Sequence, residues 1–254
     1  MIGRVRARVS RLLSLLFGVL ASISPRAAFA AAGALGWLWS WTARRLVFPG
    51  VDTRAIRRRI WTTHARTILL TGWWRIGGGE KIRALVRDDG AVARLQPPMI
   101  VGTFHIGPIH GLSVLSNRLP APSLVLRGAL GTDQQRALMF HRAIEHLLGN
   151  GFVIMALDPQ DARRIEVPFL DGTLQLARGA FAMARIARVP IVPIVAKWDG
   201  DAIELIVGEP LAVSDDEQQL ASAAARWLEQ YLRANPGELS YRVLELTERR
   251  RLAG

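Results

Sequence analysis

The sequence predicts an α/β domain with a mainly parallel sheet covered by helices, preceded by an N-terminal apolar helical membrane anchor. Three observations predict this. After about residue 97, apolar runs of strand length alternate with helix-length segments, the pattern of parallel crossovers. Gly and Pro pairs punctuate the chain between those runs. Before residue 46, long stretches carry almost no charge.

Taken in order, the first segment is basic and then apolar. Arg4, Arg6, Arg8 and Arg11 precede an apolar run from Leu12 to Ser24, which Pro25-Arg26 closes. A second uncharged run of 17 residues spans Ala27 to Ala43, carries Trp37, Trp39 and Trp41, and is closed by Arg44 and Arg45. A straight membrane span takes about 20 apolar residues, so neither run reaches it alone. Together they form one kinked, tilted span or a shallow helical hairpin, with Trp and Arg at the headgroup level. A signal peptide cleaved after Ala28-Phe29-Ala30 is the competing reading. Asp52 to Gly72 continues as a helix with Arg54, Arg57, Arg58 and Arg59 near its start, suited to an anionic membrane surface or to a solvated face. The division is therefore 1–45 anchor, 46–97 membrane-proximal helical segment and 98–254 α/β domain.

Within the last part, Met99 to Phe104, Ser123 to Leu126, Phe152 to Leu157, Pro190 to Ala196 and Ala202 to Val207 read as strands. Helices are expected over Gly111 to Leu119, Asp133 to Leu148, Leu174 to Ala187 and Asp215 to Leu232. In sheets of this kind ligands bind beyond the carboxyl ends of the strands. His105, Arg127 and Asp158 all fall there. A histidine at such a place can act as a general base near neutral pH, and His110 follows five positions later. His105 and His110 straddle a Gly-Pro turn, which is not the ligand spacing of a zinc site, so no metal is expected.

Composition narrows the chemistry. The 254 residues include 33 basic and 21 acidic side chains, a net charge of +12. The mean hydropathy of +0.19 favours an anionic membrane surface over nucleic acid as the polyanion. No nucleic-acid recognition motif accompanies the charge. With no Cys, disulfides and thiolate catalysis are excluded. No Gly-x-Ser-x-Gly elbow and no Walker-type loop occurs, so neither a serine nucleophile nor a cofactor is expected.

Several blocks occur in a familiar order. They are His105-Ile-Gly-Pro-Ile-His110, Asp158-Pro-Gln-Asp161, Val167-Pro-Phe169-Leu-Asp-Gly172, Ala177-Arg-Gly179 and Val189-Pro-Ile-Val-Pro193. With the N-terminal apolar region, they resemble the lysophospholipid acyltransferase superfamily, closest to the late lipid A acyltransferases that add lauroyl or myristoyl chains. The resemblance implies a general base, His105, that activates an acceptor hydroxyl against the thioester of an acyl carrier protein or coenzyme A. It implies a lipid or glycolipid acceptor and a place at the cell inner membrane, with the catalytic domain on the cytoplasmic side. Arg127 matches a basic position that meets phosphate or acceptor, and Phe169 to Gly172 would wall the acceptor pocket. Asp158, Asp161 and Arg164 complete the expected substrate-contacting set.

Position 110 departs from that family, which has Asp or Glu there. A neutral imidazole can set the tautomer of its partner but brings no negative charge. Three outcomes stay open: Asp158 or Asp161 supplies the carboxylate, the histidine pair serves another acceptor, or the chain is a weakened or inactive lipid-binding relative. Pro108 and Ile109 also replace the family's Asn-Trp, and the C-terminal segment Leu232 to Arg242 lacks its Trp.

Overall fold

The computed structural model describes residues 2–42, 54–87, 89–126, 132–158 and 163–239. It opens with three long helices, α1 (Ile2–Ile23), α2 (Pro25–Thr42) and α3 (Arg54–Arg75), then a short α4 (Gly79–Ala84). There follow β1 (Val86–Arg87), β2 (Met99–Thr103), α5 (Leu115–Arg118), β3 (Ser123–Leu126), α6 (Asp133–Leu148) and β4 (Phe152–Ala156). A hairpin of β5 (Arg164–Phe169) and β6 (Gly172–Ala177) leads into α7 (Arg178–Ala187). The last elements are β7 (Ile191–Asp199), β8 (Ala202–Val207) and α8 (Glu217–Ala234).

Six strands form one sheet in the order β1-β8-β7-β2-β4-β3. Every neighbouring pair is parallel except β7–β8. That exception has a local cause: Asp199-Gly200-Asp201-Ala202 is too short for a crossover, so the chain turns back on itself, with Gly200 at φ 58°. The α/β architecture with a mainly parallel sheet is as expected. All five residues of β2 are buried, as a central strand covered on both faces requires. Alternate strand residues divide between two cores. Ile100, Val153, Ile191 and Val195 pack with Phe181 of α7 and Leu228 of α8. Val101, Ile154, Val192 and Ile194 pack with Leu69 and Trp73 of α3 and with Phe17, Ala28 and Phe29 of the first two helices.

Two expectations are corrected. Leu174 to Ala177 is strand, not the start of a helix: it belongs to β6 and pairs antiparallel with β5, in which Ile165, Val167 and Phe169 alternate inward with exposed Arg164, Glu166 and Pro168. The second correction concerns the N-terminus. No described helix is long and apolar enough to cross a membrane. The basic start of α1 and the break at Ser24-Pro25 divide the apolar stretch into two helices. These lie on α3 as a hairpin, without room for side chains at the crossings. A Cβ on Gly72 would fall 1.5 Å from the Ser14 carbonyl oxygen, and one on Gly36 2.5 Å from Thr62 Cα. Trp39 meets Trp61 edge-on at 5.6 Å, and Phe29 meets Trp198 likewise.

Candidate active site

The pairing of β2 with β4 builds the site. Thr103 lies opposite Ala156 in a parallel register. His105 and Asp158 each stand two residues further on, so both leave the sheet at the same edge. The Leu157 amide donates to the Thr103 carbonyl at 2.8 Å, extending the ladder to that point. Gly102 permits the close approach: a Cβ there would sit 2.7 Å from Leu157 Cδ1. On the far side of Leu157, its carbonyl accepts from the Ala177 amide of β6 at 2.6 Å, and the Arg163 carbonyl accepts from the Arg178 amide at 2.9 Å. The β5–β6 hairpin thus clamps the segment that carries Asp158.

The two side chains meet. His105 Nδ1 donates to Asp158 Oδ1 at 2.8 Å, and the His105 backbone amide lies 3.2 and 3.1 Å from the two carboxylate oxygens. The carboxylate is 7% exposed and the imidazole 34%. With Nδ1 carrying the proton toward the carboxylate, Nε2 is left as a proton acceptor. The arrangement can take a proton from a hydroxyl, hold the resulting imidazolium against a buried negative charge, and give the proton up again.

His110 stands elsewhere. Its Nε2 bonds the Thr71 hydroxyl at 3.1 Å, and its ring stacks on Trp74 with centroids 5.5 Å apart. Thr71 Oγ1 already donates to the Thr67 carbonyl at 2.8 Å, so Nε2 of His110 is the donor in that contact. Burial, with the Arg75 charge in support, pushes His110 down to about 4, so the ring is neutral at physiological pH. No hydrogen bond joins it to His105 among the described residues.

Three other expected residues, Arg164, Phe169 and Gly172, belong to the β5–β6 hairpin. Arg164 points along the exposed face of β5 to Gln175 of β6. Phe169 is buried in the core, and Gly172 faces it across the hairpin turn, where Leu170 takes φ 49° and its amide donates to Glu229 at 3.1 Å. Arg127 and Asp161 lie outside the described residues. No described group of three His, Asp or Glu side chains is arranged to hold a metal ion. Glu238, whose carboxylate stands beside the Gly107 turn, is not foreseen from sequence, because nothing in the residues after α8 signals their approach to the turn after His105.

No family model matches the chain, and no curated protein matches it. Among solved structures, the crystal structure of the 1-acyl-sn-glycerophosphate (LPA) acyltransferase PlsC from Thermotoga maritima matches with a TM-score of 0.39 and 14% identity. That match covers 89% of this chain and 98% of the other. At that distance the likeness does not define a family for the chain.

Proposed function

We propose that the chain is a membrane-associated acyltransferase, moving a fatty acyl group from an acyl carrier protein or coenzyme A thioester to a hydroxyl of a lipid or glycolipid. The observation that carries this reading is the His105–Asp158 pair at the carboxyl edge of the sheet, 2.8 Å apart. His105 Nε2 removes the proton of the acceptor hydroxyl as its oxygen attacks the thioester carbonyl carbon. The C–O bond forms, the C–S bond breaks, and the departing thiolate takes the proton from the imidazolium. Asp158 holds the ring in the tautomer this requires and opposes the charge that builds on it. No acyl-enzyme is needed, in keeping with a chain that has no Cys.

The proposed setting is the cytoplasmic side of the inner membrane, with the α1–α2 hairpin lying in the interface. In support of this, Leu12, Leu15, Leu16, Val19 and Ile23 of α1 are exposed, as are Trp37, Leu38 and Trp41 of α2. Apolar side chains on the outside of a basic protein suit an anionic bilayer surface. Incubating the purified protein with acyl thioesters and a panel of lipid acceptors tests the reading. Transfer by the wild type that His105→Ala abolishes is the expected result. Equal, background-level product from both proteins across all donors and acceptors would leave lipid binding as the remaining role.

A further inference from the structure

We propose that Glu238 is a positioning residue for His105, acting through the Gly107 turn: its buried carboxylate supports that turn from beneath and sets a negative charge under it. This rests on the proposed role of His105 as general base. Glu238 ends the 3-10 helix Pro236–Glu238, packed between α3 and α8, and is 1% exposed. Neither of its oxygens has a hydrogen-bond partner among the described residues, and neither does the neighbouring Tyr231 hydroxyl on α8. The Trp198 backbone amide of β7 approaches the carboxylate and favours its charged form.

The turn rests directly on this carboxylate. Gly107, two residues after His105, has φ 58°, and a Cβ there would lie 3.2 Å from Glu238 Oε2 and 2.3 Å from the Ala196 carbonyl oxygen. The Thr67 hydroxyl of α3, which donates to the Thr63 carbonyl at 2.9 Å, also reaches the Gly107 carbonyl at 3.3 Å, sharing its proton between the two. The turn is therefore seated between α3, β7 and the end of the chain's described part, with no gap for a side chain. A carboxylate buried to this degree is costly to the fold, so its place beside the turn calls for an explanation.

Charged groups of three described elements surround the carboxylate. Arg59 and Arg66 face Glu238 from α3 and Lys197 from β7, while Tyr231 stands on α8 with Glu204 of β8 beyond it. Lys197 is itself shared with Glu204 at 3.6 Å. The Arg59 stem crosses Gly237, where a Cβ would lie 2.3 Å from its Cδ. Burial pushes Glu238 up to about 7, and Arg59, the Trp198 amide, Lys197 and Arg66 only partly counter it. The carboxyl therefore changes charge across the physiological range. Once ionised, it favours the imidazolium that His105 becomes during transfer.

Two readouts on full-length wild type and Glu238→Gln test this. The first is the titration of the His105 ring by NMR, assigned with His105→Ala. Its midpoint is expected to fall by about 0.5 pH in Glu238→Gln, the size of a modest through-protein charge effect. The second is kcat against pH, with an expected wild-type to variant ratio of about fivefold near pH 8 that closes toward one near pH 6. Arg59→Gln, an exposed change that keeps the carboxyl neutral to higher pH, is expected to move the midpoint in the same direction. An unmoved His105 midpoint in both variants overturns the proposal, as does an activity ratio that is the same at every pH. A moved midpoint in a protein that transfers no acyl group upholds the coupling and sinks the acyltransferase reading instead.

Discussion

Asp158→Asn is the sharpest perturbation of the proposed chemistry, because it keeps the shape of the side chain and removes its charge. In the native site the carboxylate accepts a hydrogen bond from His105 Nδ1 at 2.8 Å and lies within 3.2 Å of the His105 amide. Asn has one acceptor oxygen for two donors, and its NH₂ group, turned toward Nδ1, would select the tautomer that carries the proton on Nε2. That tautomer has no base facing the acceptor. Charge loss acts in the same direction. Two unit charges about 4 Å apart, roughly the separation of the charge centres of a hydrogen-bonded imidazolium and carboxylate, attract by about 4 kcal/mol at an effective dielectric of about 20. The imidazole is 34% exposed, so solvent reduces this to about 2–3 kcal/mol. Charge alone predicts a fall in kcat of about 10²-fold, rising to about 10⁴-fold, the loss found for a triad carboxylate, when the tautomer is also wrong. The KM for the acceptor should stay nearly constant, because the lost interaction strengthens only as the imidazolium forms. Quantifying acylated product by mass spectrometry under saturating thioester measures this. An Asp158→Asn enzyme within about threefold of wild type, alongside an inactive His105→Ala, would refute the assignment of Asp158 as the orienting carboxylate.

Four further outcomes are expected. His110→Glu combined with Asp158→Asn should recover none of the lost activity, since position 110 contacts Thr71 and Trp74 rather than the His105 ring; recovery in the same product assay would show that the two positions are interchangeable. The Glu238 carboxyl, near 7 in the fold against 4.5 ordinarily, contributes stability that is complete below about pH 4.5 and disappears as pH rises through about 7. Urea unfolding of wild type and Glu238→Gln from pH 4.5 to 8 should therefore show the variant gaining up to about 3 kcal/mol relative to wild type, the upper bound set by that difference. Gly72→Ala puts a methyl group 1.5 Å from the Ser14 carbonyl oxygen and should cost about 3 kcal/mol or more, read as a lowered Tm with early proteolysis of α1. Replacing exposed Leu16 and Val19 with Glu should reduce sedimentation with anionic vesicles about tenfold or more while leaving transfer to detergent-dispersed acceptor intact.

Much of this fold is legible in the residues, and the parts that are not share a cause. The strands at 99, 123, 152, 191 and 202 declare themselves as short apolar runs bounded by Pro, Gly or Asn, and α6 has both an apolar stripe and a Thr132–Gln135 capping box. The β5–β6 hairpin hides in a stretch whose Ala, Leu and Arg content favours helix, although Ile165, Val167 and Phe169 alternate with period two. The reversal at Gly200 was present as well, since no crossover fits between Asp199 and Ala202. For the site, His105 and Asp158 each show as residues at strand ends. Their contact depends on β2 pairing with β4 rather than with another strand, which no local pattern encodes. His110 illustrates the opposite limit. Its spacing from His105 suggests a pair, yet the 3-10 helix Ile109–Val114 turns it toward α3.

The two histidines therefore have separate surroundings. A carboxylate five residues after the base reaches it along one stretch of chain. Here the acid arrives across the sheet, from the end of β4, and accepts from both the ring and the backbone of His105. Position 110 stands outside this pair and docks the turn on α3, through Thr71 and Trp74. A charged side chain would be a poor choice there. Burial and the nearby Arg75 hold His110 neutral, so it adds no positive charge that would oppose protonation of His105. The same turn is held from below by Thr67 and Glu238. His105 is thus fixed by contacts from α3, β4 and the segment after α8, so its position depends on the docking of the N-terminal helices onto the sheet. A lesion in the α1–α3 interface, far from Nε2, should therefore lower kcat as well as stability.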